Sequence, residues 1–297
     1  MDRLTSMTVF ARVAATRSFS VAARQLGISQ ATASKHVQTL EGWIGTRLLH
    51  RTTRRVGLTE AGETFFAQCT RILEDMEAAR HTGAAETKLH GTLRVSAPVA
   101  FGSGRLAALA AEFMTENPDL SLNISLCDRP VDVIEEGYDV AFRISWSRPA
   151  AADEAGLIVQ RLATVRFAVC ASPDYLAANG QPEAPDDLAS HSCLIDARHL
   201  GDVWRFIGPE GETEVAVSGR LKSDNGQLRR EAACRGGGIL MAPDYLVLDD
   251  LTAGRLVRLL PDYRPVPASL DALCPAQRGI SPKVRGFTQF LAGRLSE

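Results

Sequence analysis

Small and hydrogen-bonding side chains recur at helical spacing between residues 30 and 38. Ala31, Ser34, Lys35 and Gln38 project to one side of a helix when successive residues are placed about 100° apart. In the major groove of DNA, glutamine pairs with adenine, lysine with guanine, serine with either, and an alanine methyl contacts thymine. The pattern predicts a helix that reads bases. An ordinary solvated helix face is the alternative on composition alone.

A dense cluster of basic residues follows this helix within nine positions. It consists of Arg47, His50, Arg51, Arg54 and Arg55, together with Thr52 and Thr53. Guanidinium and hydroxyl groups commonly bind the phosphates of DNA. Residues 1–58 carry nine Lys and Arg against two Asp and Glu, a net of +7, whereas the rest of the chain is at −9. The cluster therefore favours phosphate contacts, and the two parts of the chain face different partners.

A turn and a second helix are needed to hold such a reading helix against DNA. A short segment with one apolar face, Ser20 to Leu26, precedes Gly27, which can adopt positive φ. Ser29 can cap a helix that restarts at Gln30. The apolar stripe that buries this helix consists of Ala33, Val37, Leu40 and Ile44, and an upstream helix over Leu4–Ala14 packs on it. The stretch is predicted to be a helix-turn-helix with a basic wing.

The segment after the wing has the pattern of a dimerising helix. Thr59 can cap it, and apolar residues then recur at alternating steps of four and three. They are Phe65, Cys69, Ile72, Met76 and Ala79. Such a seam is what one helix offers another in a coiled coil, and the alternative is a helix folded back on its own chain. A two-fold dimer would read an interrupted palindrome.

The remaining chain alternates between strand and helix patterns after a polar hinge between Ala79 and Leu93. Strands are predicted at 93–97, 120–126 and 139–144, with helices at 104–116 and 131–136. A second unit begins near Val165, with strands at 204–207, 215–217, 220–222 and 239–243, and helices from Pro173, at 227–235 and at 243–251. A strand at 270–275 and a helix at 282–295 end the chain. This alternation predicts parallel α/β sheets.

Groups at the ends of the predicted strands suggest a ligand cleft. Lobes of open α/β sheet bind small molecules at the carboxyl ends of their strands. The segment Ala97–Ser103 is predicted to be a strand-to-helix loop that offers N–H groups to an anion, so we expect an organic acid. The candidate contacts are Ala97, Pro98, Val99, Ser103, Asp128, Arg129, Arg143, Ser145 and Asn225, which follows Asp224. The alternatives are that the serines and Asn225 cap helices and that Arg143 pairs with Asp139 or Asp128.

Other function classes have little support in the sequence. The six cysteines lack CxxC pairs and nearby histidines, which argues against a zinc site or disulfides, although Cys127 is a candidate thiol sensor. The chain has no P-loop, full GxGxxG, GxSxG or paired-histidine motif of an enzyme. It also lacks a signal peptide and any run of about 18 apolar residues. We therefore expect a cytoplasmic, nucleoid-associated protein rather than an exported solute-binding protein.

The first sixty residues resemble the LysR-type transcriptional regulators. The residues that carry the likeness are FARVAATRSFSVAARQLGISQATASKHVQTLEGWIGTRLLHRTTRRVGLTEAG, from Phe10 to Gly62. The order of segments in the rest of the chain is similar to that family's effector-binding half. The chain departs from the family at Ala31, where proline is frequent. Both residues suit the first helical turn, but a position near the bases differs.

The resemblance implies a fold class, α/β with a winged helix-turn-helix at residues 1–59 and a linker helix and hinge at 60–90. A two-lobed effector-binding domain similar to periplasmic binding proteins follows at 91–297, with lobe I at about 91–162 and 266–297 and lobe II at about 163–265. Two crossing strands join the lobes.

The resemblance also implies the partners and their contacts. They are double-stranded DNA with an interrupted palindrome, a second copy and a dimer of dimers, RNA polymerase in the case of an activator, and a small-molecule effector, with no cofactor and no membrane. The implied DNA contacts are Ser29, Gln30, Ala31, Thr32, Ser34, Lys35 and Gln38 in the helix, and Arg51, Thr52, Arg54 and Arg55 in the wing. No catalytic residue is implied.

Overall fold

The chain folds into two units, Met1–Thr87 and Lys88–Glu297, in a computed structural model. The structure describes residues 2–51, 56–80, 89–146, 156–198, 202–276 and 280–295. Each unit has its own hydrophobic core, as expected for segments long enough to bury one.

Side-chain caps set the starts of the first three helices. These are α1 (Arg3–Thr16), α2 (Phe19–Gln25) and α3 (Gln30–Ile44). Backbone N–H groups in their first turns donate to the side-chain oxygens of Asp2, Ser18 and Ser29. Gly27, in the turn between α2 and α3, has a φ of 65°, a conformation that favours glycine. The predicted helix-turn-helix and its Ser29 cap are confirmed.

A two-stranded antiparallel wing and a long helix complete the first unit. They are β1 (Leu49–Arg51), β2 (Val56–Leu58) and α4 (Glu60–Arg80). The Thr59 hydroxyl accepts from the Gly62 N–H at 2.9 Å, as predicted, and donates to the Arg47 carbonyl at 2.8 Å. A Cβ at Gly62 would lie 1.9 Å from the Leu48 carbonyl oxygen. Glycine therefore lets α4 start directly against the wing.

The core of this unit corrects the interpretation of the apolar seam in α4. Phe65 packs on Phe10, with ring centroids 5.5 Å apart. Cys69 is fully buried, and its thiol donates to the Met7 carbonyl at 3.4 Å. The expectation that the seam serves a second chain is therefore wrong for Phe65 and Cys69, because both cover α1 of their own chain. Ile72 is 45% exposed.

Lobe I of the second unit is built on a five-stranded sheet of order β4-β3-β5-β15-β6. Its strands are β3 (Gly91–Ala97), β4 (Leu120–Leu126), β5 (Val140–Ser145), β6 (Leu157–Val165) and β15 (Ala268–Pro275). The helical segments are α5 (Val99–Phe101), a π-helical turn (Gly102–Leu106), α6 (Ala107–Glu116) and α10 (Pro282–Leu295). Phe113 of α6 and Phe287 of α10 pack with ring centroids 4.9 Å apart.

Lobe II combines a five-stranded sheet of order β11-β8-β12-β7-β13 with a three-stranded sheet of order β10-β9-β14. The strands are β7 (Phe167–Ala171), β8 (Ser192–Asp196), β9 (Val203–Gly208), β10 (Gly211–Ala216), β11 (Ser218–Ser223), β12 (Ile239–Pro243), β13 (Val257–Arg258) and β14 (Arg264–Pro265). The helices are α7 (Pro173–Asn179), a 3₁₀ helix (Pro185–Ser190), α8 (Gly226–Cys234) and α9 (Asp244–Thr252).

The return of the chain to lobe I, which only the family resemblance implied, is confirmed. β15 pairs antiparallel with both β5 and β6, and α10 packs on the lobe I core. This return makes the prediction of wholly parallel sheets wrong. β3 is parallel to β4 and β5, but β15 in lobe I and β7 in lobe II run against their neighbours, because each follows a crossing between lobes.

Two local predictions also fail. The segment Ala97–Ser103 is not a loop, because the helical run begins at Val99, where burial of Phe101 rewards early helix formation. The predicted helix at 131–136 is a series of turns. There the Asp132 carboxylate accepts from the N–H groups of Ile134 and Glu135, a local bond that competes with helix formation.

Candidate nucleic-acid interface and effector cleft

The predicted reading face of α3 points to solvent because the opposite face is buried. Ala33 and Val37 are fully buried and Leu40 is 1% exposed. Gln30, Ala31, Lys35 and Gln38 are exposed, and Thr32 and Ser34 are half-buried. Ser29 and Thr32 are already used in the cap, since the Ser29 hydroxyl accepts from the Thr32 N–H at 3.0 Å and lies 2.8 Å from the Thr32 hydroxyl.

Two polar contacts fix α3 to its surroundings. The buried His36 ring places Nδ1 3.0 Å from the Ser6 hydroxyl of α1. The Glu41 carboxylate accepts from the N–H groups of Leu48 and Leu49 at 2.9 and 3.1 Å. Glu41 therefore ties the start of the first wing strand to the reading helix.

The structure places the predicted wing contacts only in part. His50 is exposed and pairs with Gly57 across the two strands. Arg51 ends β1 opposite Val56. The predicted contacts Thr52, Arg54 and Arg55 lie outside the described residues.

The candidate effector residues divide into buried and surface groups. The side chains of Ala97 and Pro98 are buried, whereas the Val99 N–H and the Ser103 hydroxyl are at the start of the helical run. The Ser103 hydroxyl donates to the Val99 carbonyl at 2.8 Å and lies 3.4 Å from the Gln227 amide of lobe II. Asn225 caps α8 by accepting from the Leu228 N–H at 2.9 Å, which was the ordinary alternative.

The remaining candidates are less central than expected. Arg129 has a side chain that is 60% exposed and forms a two-pronged ion pair with Glu136. Arg143 and Ser145 are half-buried on β5, with Asp271 opposite Arg143 and Ser269 opposite Ser145. The carboxylates considered as partners of Arg143 have other bonds: Asp139 accepts from the Arg94 N–H and Asp128 pairs with Arg198.

Asp128 lies at the contact between the two lobes. One carboxylate oxygen, Oδ1, accepts from the Val99 N–H of lobe I at 3.2 Å and from the Arg198 guanidinium of lobe II at 3.1 Å. Its side chain is 8% exposed. The anion that the Val99 N–H binds at the start of the helical run is therefore the Asp128 carboxylate of the chain itself.

Three charged residues of lobe II extend this contact, and the sequence did not indicate them. Asp196 accepts from Arg198 at 2.7 Å and from Arg229 at 2.6 Å. The Arg229 side chain is 6% exposed. Asp196 ends β8, a short strand that sequence periodicity missed. The rule that selected Asp128, a polar residue at the carboxyl end of a parallel strand, would have selected Asp196 had β8 been recognised.

Burial and bonding to guanidinium groups compete at the two carboxylates of this cluster. It raises the pKa of Asp128 above its usual value, because the attraction of Arg198 and the Val99 N–H are weaker than the cost of burial. Burial also opposes ionisation of Asp196, but hydrogen bonds from Arg198 and the charges of Arg229 and Arg198 outweigh it and lower that pKa. Ionised Asp196 is thus well stabilised, whereas ionised Asp128 is held at a cost.

Aromatic packing adds an apolar contact between the two lobes. Tyr245 of α9 packs against the cores of both lobes, with its ring centroid 6.4 Å from that of Phe101 in lobe I. Burial raises the pKa of Tyr245, so the phenol stays protonated at neutral pH. A Cβ at Gly226 would lie 3.8 Å from that of Ala100. The lobes are therefore in direct contact in this structure.

The His, Cys, Asp and Glu residues in the described part of the chain form no group of three that could hold a metal ion. No helix there is both long and apolar enough to cross a membrane. Cys127, the candidate thiol sensor, is half-buried, with its sulfur 3.7 Å from the Ser96 hydroxyl.

A capped reading helix tied to a wing, followed by two α/β lobes in contact, defines a winged helix-turn-helix DNA-binding protein with a ligand-binding half. Residues 4–63 match the bacterial regulatory helix-turn-helix protein, lysR family, and residues 86–296 match the LysR substrate binding domain. The chain belongs to the LysR family of transcriptional regulators. The family consists of regulators and not enzymes.

Full-length relatives agree with this assignment. The chain is 34% identical to the uncharacterized HTH-type transcriptional regulator YhjC of Escherichia coli, covering 100% of this chain and 99% of that protein. It is 33% identical to the HTH-type transcriptional activator AaeR of Escherichia coli, covering 96% and 91%. Among solved structures, CrgA, a LysR-type regulator from Neisseria meningitidis, is 31% identical with a TM-score of 0.62, covering 99% of both chains.

Proposed function

We propose that the outward face of α3 reads base edges in the major groove of an operator. The residues of that face are Gln30, Ala31, Ser34, Lys35 and Gln38. The observation that carries the proposal is the burial of Ala33, Val37 and Leu40, which fixes the opposite side of the helix outward. Of this face, Lys35 supplies the positive charge that suits guanine acceptors.

Phosphate contacts in this proposal come from the wing and from the start of α3. Arg51, Thr52, Arg54 and Arg55 contact phosphates or enter the minor groove. Ser29 and Thr32 support them at the helix start, where backbone N–H groups attract phosphate. The link from Glu41 to the wing strand sets the spacing between base and phosphate contacts.

The proposed target is an interrupted palindrome bound by a dimer. Exposed Ile72 leaves the outer part of α4 free to pack on a second copy, although Phe65 and Cys69 are used internally. A dimer of dimers on DNA, contact with RNA polymerase and a cytoplasmic location complete the proposal. The similarity to a protein named a transcriptional activator supports the polymerase contact.

The proposed effector is a small organic acid bound between the lobes. Val99, Ser103, Asp128 and the guanidinium groups next to them lie where strands of both lobes end. Binding that differs between two arrangements of the lobes by about 1–3 kcal/mol is enough to change the DNA complex. Effector binding would thereby change the spacing and bend of the bound operator.

A footprint on the DNA upstream of the protein's own gene tests both parts. We expect protection of an interrupted palindrome whose extent changes with one member of a panel of small carboxylic and aromatic acids. Lys35→Ala should lower operator affinity by about 1–3 kcal/mol without changing the melting temperature. The matched control is Lys222→Ala, since Lys222 is an exposed lysine of lobe II paired with Asp202.

The outcomes separate the two claims. Equal loss of affinity in Lys35→Ala and Lys222→Ala would refute the assigned reading face. Protection that no acid alters would leave DNA reading intact and refute the organic-acid effector. Absence of any protected palindrome would contradict the proposed operator.

A further inference from the structure

Four charged groups form one continuous network across the lobes, and two of them, Asp128 and Arg229, have side chains that are more than nine-tenths buried. Asp128 of lobe I bonds Arg198, Arg198 bonds Asp196, and Asp196 bonds Arg229. The N···O distances along this chain of contacts are 3.1, 2.7 and 2.6 Å. Both guanidinium groups therefore already donate to carboxylates of the chain, and an anionic ligand meets cations that are in use.

Polar atoms of the network and of the neighbouring Tyr245 lack hydrogen-bond partners among the described residues. Asp128 Oδ2, Arg229 Nε and the Tyr245 hydroxyl are buried and have no hydrogen-bond partner among the described residues. The side chains of Asp128 and Arg229 are more than nine-tenths buried. Buried polar groups in proteins are nearly always paired, so a cluster with three unpaired atoms is poorly completed by the chain alone.

Asp128 has the chemistry of a ligand held in a binding site. Its carboxylate bonds a backbone N–H of one lobe and a guanidinium of the other, the two donors that a free carboxylate would use. Of the two carboxylates in the network, Asp128 is the one whose pKa is raised by burial, whereas at Asp196 burial is outweighed by bonding to Arg198 and Arg229, which lowers the pKa. A buried ionisable group with a specific charged partner at the contact between two lobes is a combination found frequently at functional sites.

We infer that Asp128 is a built-in competitor for the effector, occupying the place between the Val99 N–H and Arg198 that the effector carboxylate takes when it binds. The inference rests on the proposed organic-acid effector and adds its regulation. Exchange of one carboxylate for another preserves the bonds of Arg198, while Asp128 gains solvent. The unpaired Arg229 Nε and Tyr245 hydroxyl offer bonds to a second polar group, so the ligand class is a small carboxylate with a further hydrogen-bonding group.

The test compares carboxylate binding by the full chain with and without the Asp128 charge. Titration calorimetry with acetate, lactate and benzoate is performed on the wild type, Asp128→Asn and the control Glu136→Gln. Glu136 is a carboxylate of the same lobe that bonds Arg129 on the surface. We expect Asp128→Asn to bind at least one acid at least about tenfold more tightly than the wild type, because a charge that repels and displaces the ligand is gone. Glu136→Gln should match the wild type.

A second single variant controls for misfolding of Asp128→Asn, and a double variant tests whether the gain in affinity depends on Arg198. Asp128→Ser keeps an acceptor for the Val99 N–H and should show the same gain if Asp128→Asn does not fold. Adding Arg198→Gln to either variant should abolish the gain. Tighter binding that persists without Arg198 overturns the inference, because the acid would then bind elsewhere.

The remaining outcomes distinguish this inference from the proposed function. If an acid binds the wild type and alters the footprint but binds Asp128→Asn no more tightly, the competitor role is refuted and the acid effector stands. If no acid binds any variant, both the organic-acid effector and the competitor role are refuted. If methylamine binds the wild type and loses affinity in Asp128→Asn, the site takes a cation and the inference is likewise overturned.

Discussion

The outward face of α3 and the Asp128 network place polar groups in opposite circumstances. On α3, Lys35 and Gln38 are exposed, and their positions follow from a buried stripe on the same helix. In the network, Asp128 and Arg229 are buried and bonded to partners from other elements. The side chains of α3 are exposed to an external partner, whereas the charged groups of the network already bond one another.

This contrast shows how one chain serves two kinds of ligand. DNA is a large polyanion, so exposed cations gain by attracting it over a distance and by releasing its counterions. A small molecule supplies few contacts and needs a desolvated site in which each contact is strong. Exposed positive charge therefore suits the winged helix-turn-helix, whereas charged groups that pair with one another suit the contact between the lobes.

The largest expected effect tests the exposed side of the comparison. With six to ten phosphate contacts, operator affinity should fall on the order of a thousandfold between about 50 and 200 mM salt. Fluorescence anisotropy with labelled operator DNA measures it. The melting temperature in the same salts should change far less, because buried ion pairs are weakly screened. An operator affinity that does not change with salt would contradict phosphate contacts by the winged helix-turn-helix, and with them this side of the comparison.

The next effect distinguishes two buried aspartates. The Asp250 side chain is fully buried and bonds both Arg230 and Arg255, whereas Asp128 shares one guanidinium. Asp250→Asn should lower the free energy of unfolding by about 3 kcal/mol, since it strips the charge from a buried pair. Asp128→Asn should stay within about 1 kcal/mol of the wild type. Urea unfolding followed by circular dichroism measures both, and equal losses would make Asp128 a structural residue.

Asp250 and Asp128 should contribute with opposite signs to the pH dependence of the free energy of unfolding. Although burial opposes it, bonding to Arg230 and Arg255 lowers the pKa of Asp250, so its stabilisation is complete above the unfolded value of about 3.9 and is lost as pH falls further. The raised pKa of Asp128 means that its charge costs stability at neutral pH and that protonation removes this cost. The charges acting on Asp128 are Arg198, Asp196 and Asp224. Stability curves against pH for each variant and the wild type resolve the two signs.

The smallest effect concerns the link between helix and wing. Glu41→Gln weakens two bonds to the N–H groups of Leu48 and Leu49 and should cost about 1 kcal/mol of stability. Operator affinity should fall as well, because the wing loses its fixed position. Glu231→Gln, which removes an exposed pair with Arg235, is the control and should cost less than about 0.5 kcal/mol. Unchanged affinity in Glu41→Gln would show that α3 reads DNA without a fixed wing.

Local sequence patterns explain why the helix-turn-helix could be predicted from the sequence. Gly27, Ser29 and the stripe from Ala33 to Ile44 lie within a few turns of one another, so capping and periodicity determine the reading face together. Strand alternation likewise located β4, and sequence patterns located β9, β10, β11 and β12 of lobe II. The return of β15 to lobe I came from the family resemblance, because periodicity contains no information on which strands pair.

The cleft was only partly predictable because its contacts are distant in sequence. Asp128 and Arg198 are 70 residues apart, and Asp196 and Arg229 are 33 apart. The sequence predicts a loop at Val99 because helix propensity does not show that Phe101 will be buried. Arg129, next to Asp128, was an equal candidate on sequence, and only the tertiary fold reveals that it bonds Glu136 on the surface.

The pairing of β6 with β15 makes lobe II an insertion into lobe I. Val165, the last residue of β6, lies directly opposite Ala268, the first residue of β15. The chain thus leaves lobe I and re-enters it at neighbouring points of one strand ladder. Because its two ends are adjacent, lobe II has the geometry in which a domain can be inserted or changed in length without separating the strands that receive it.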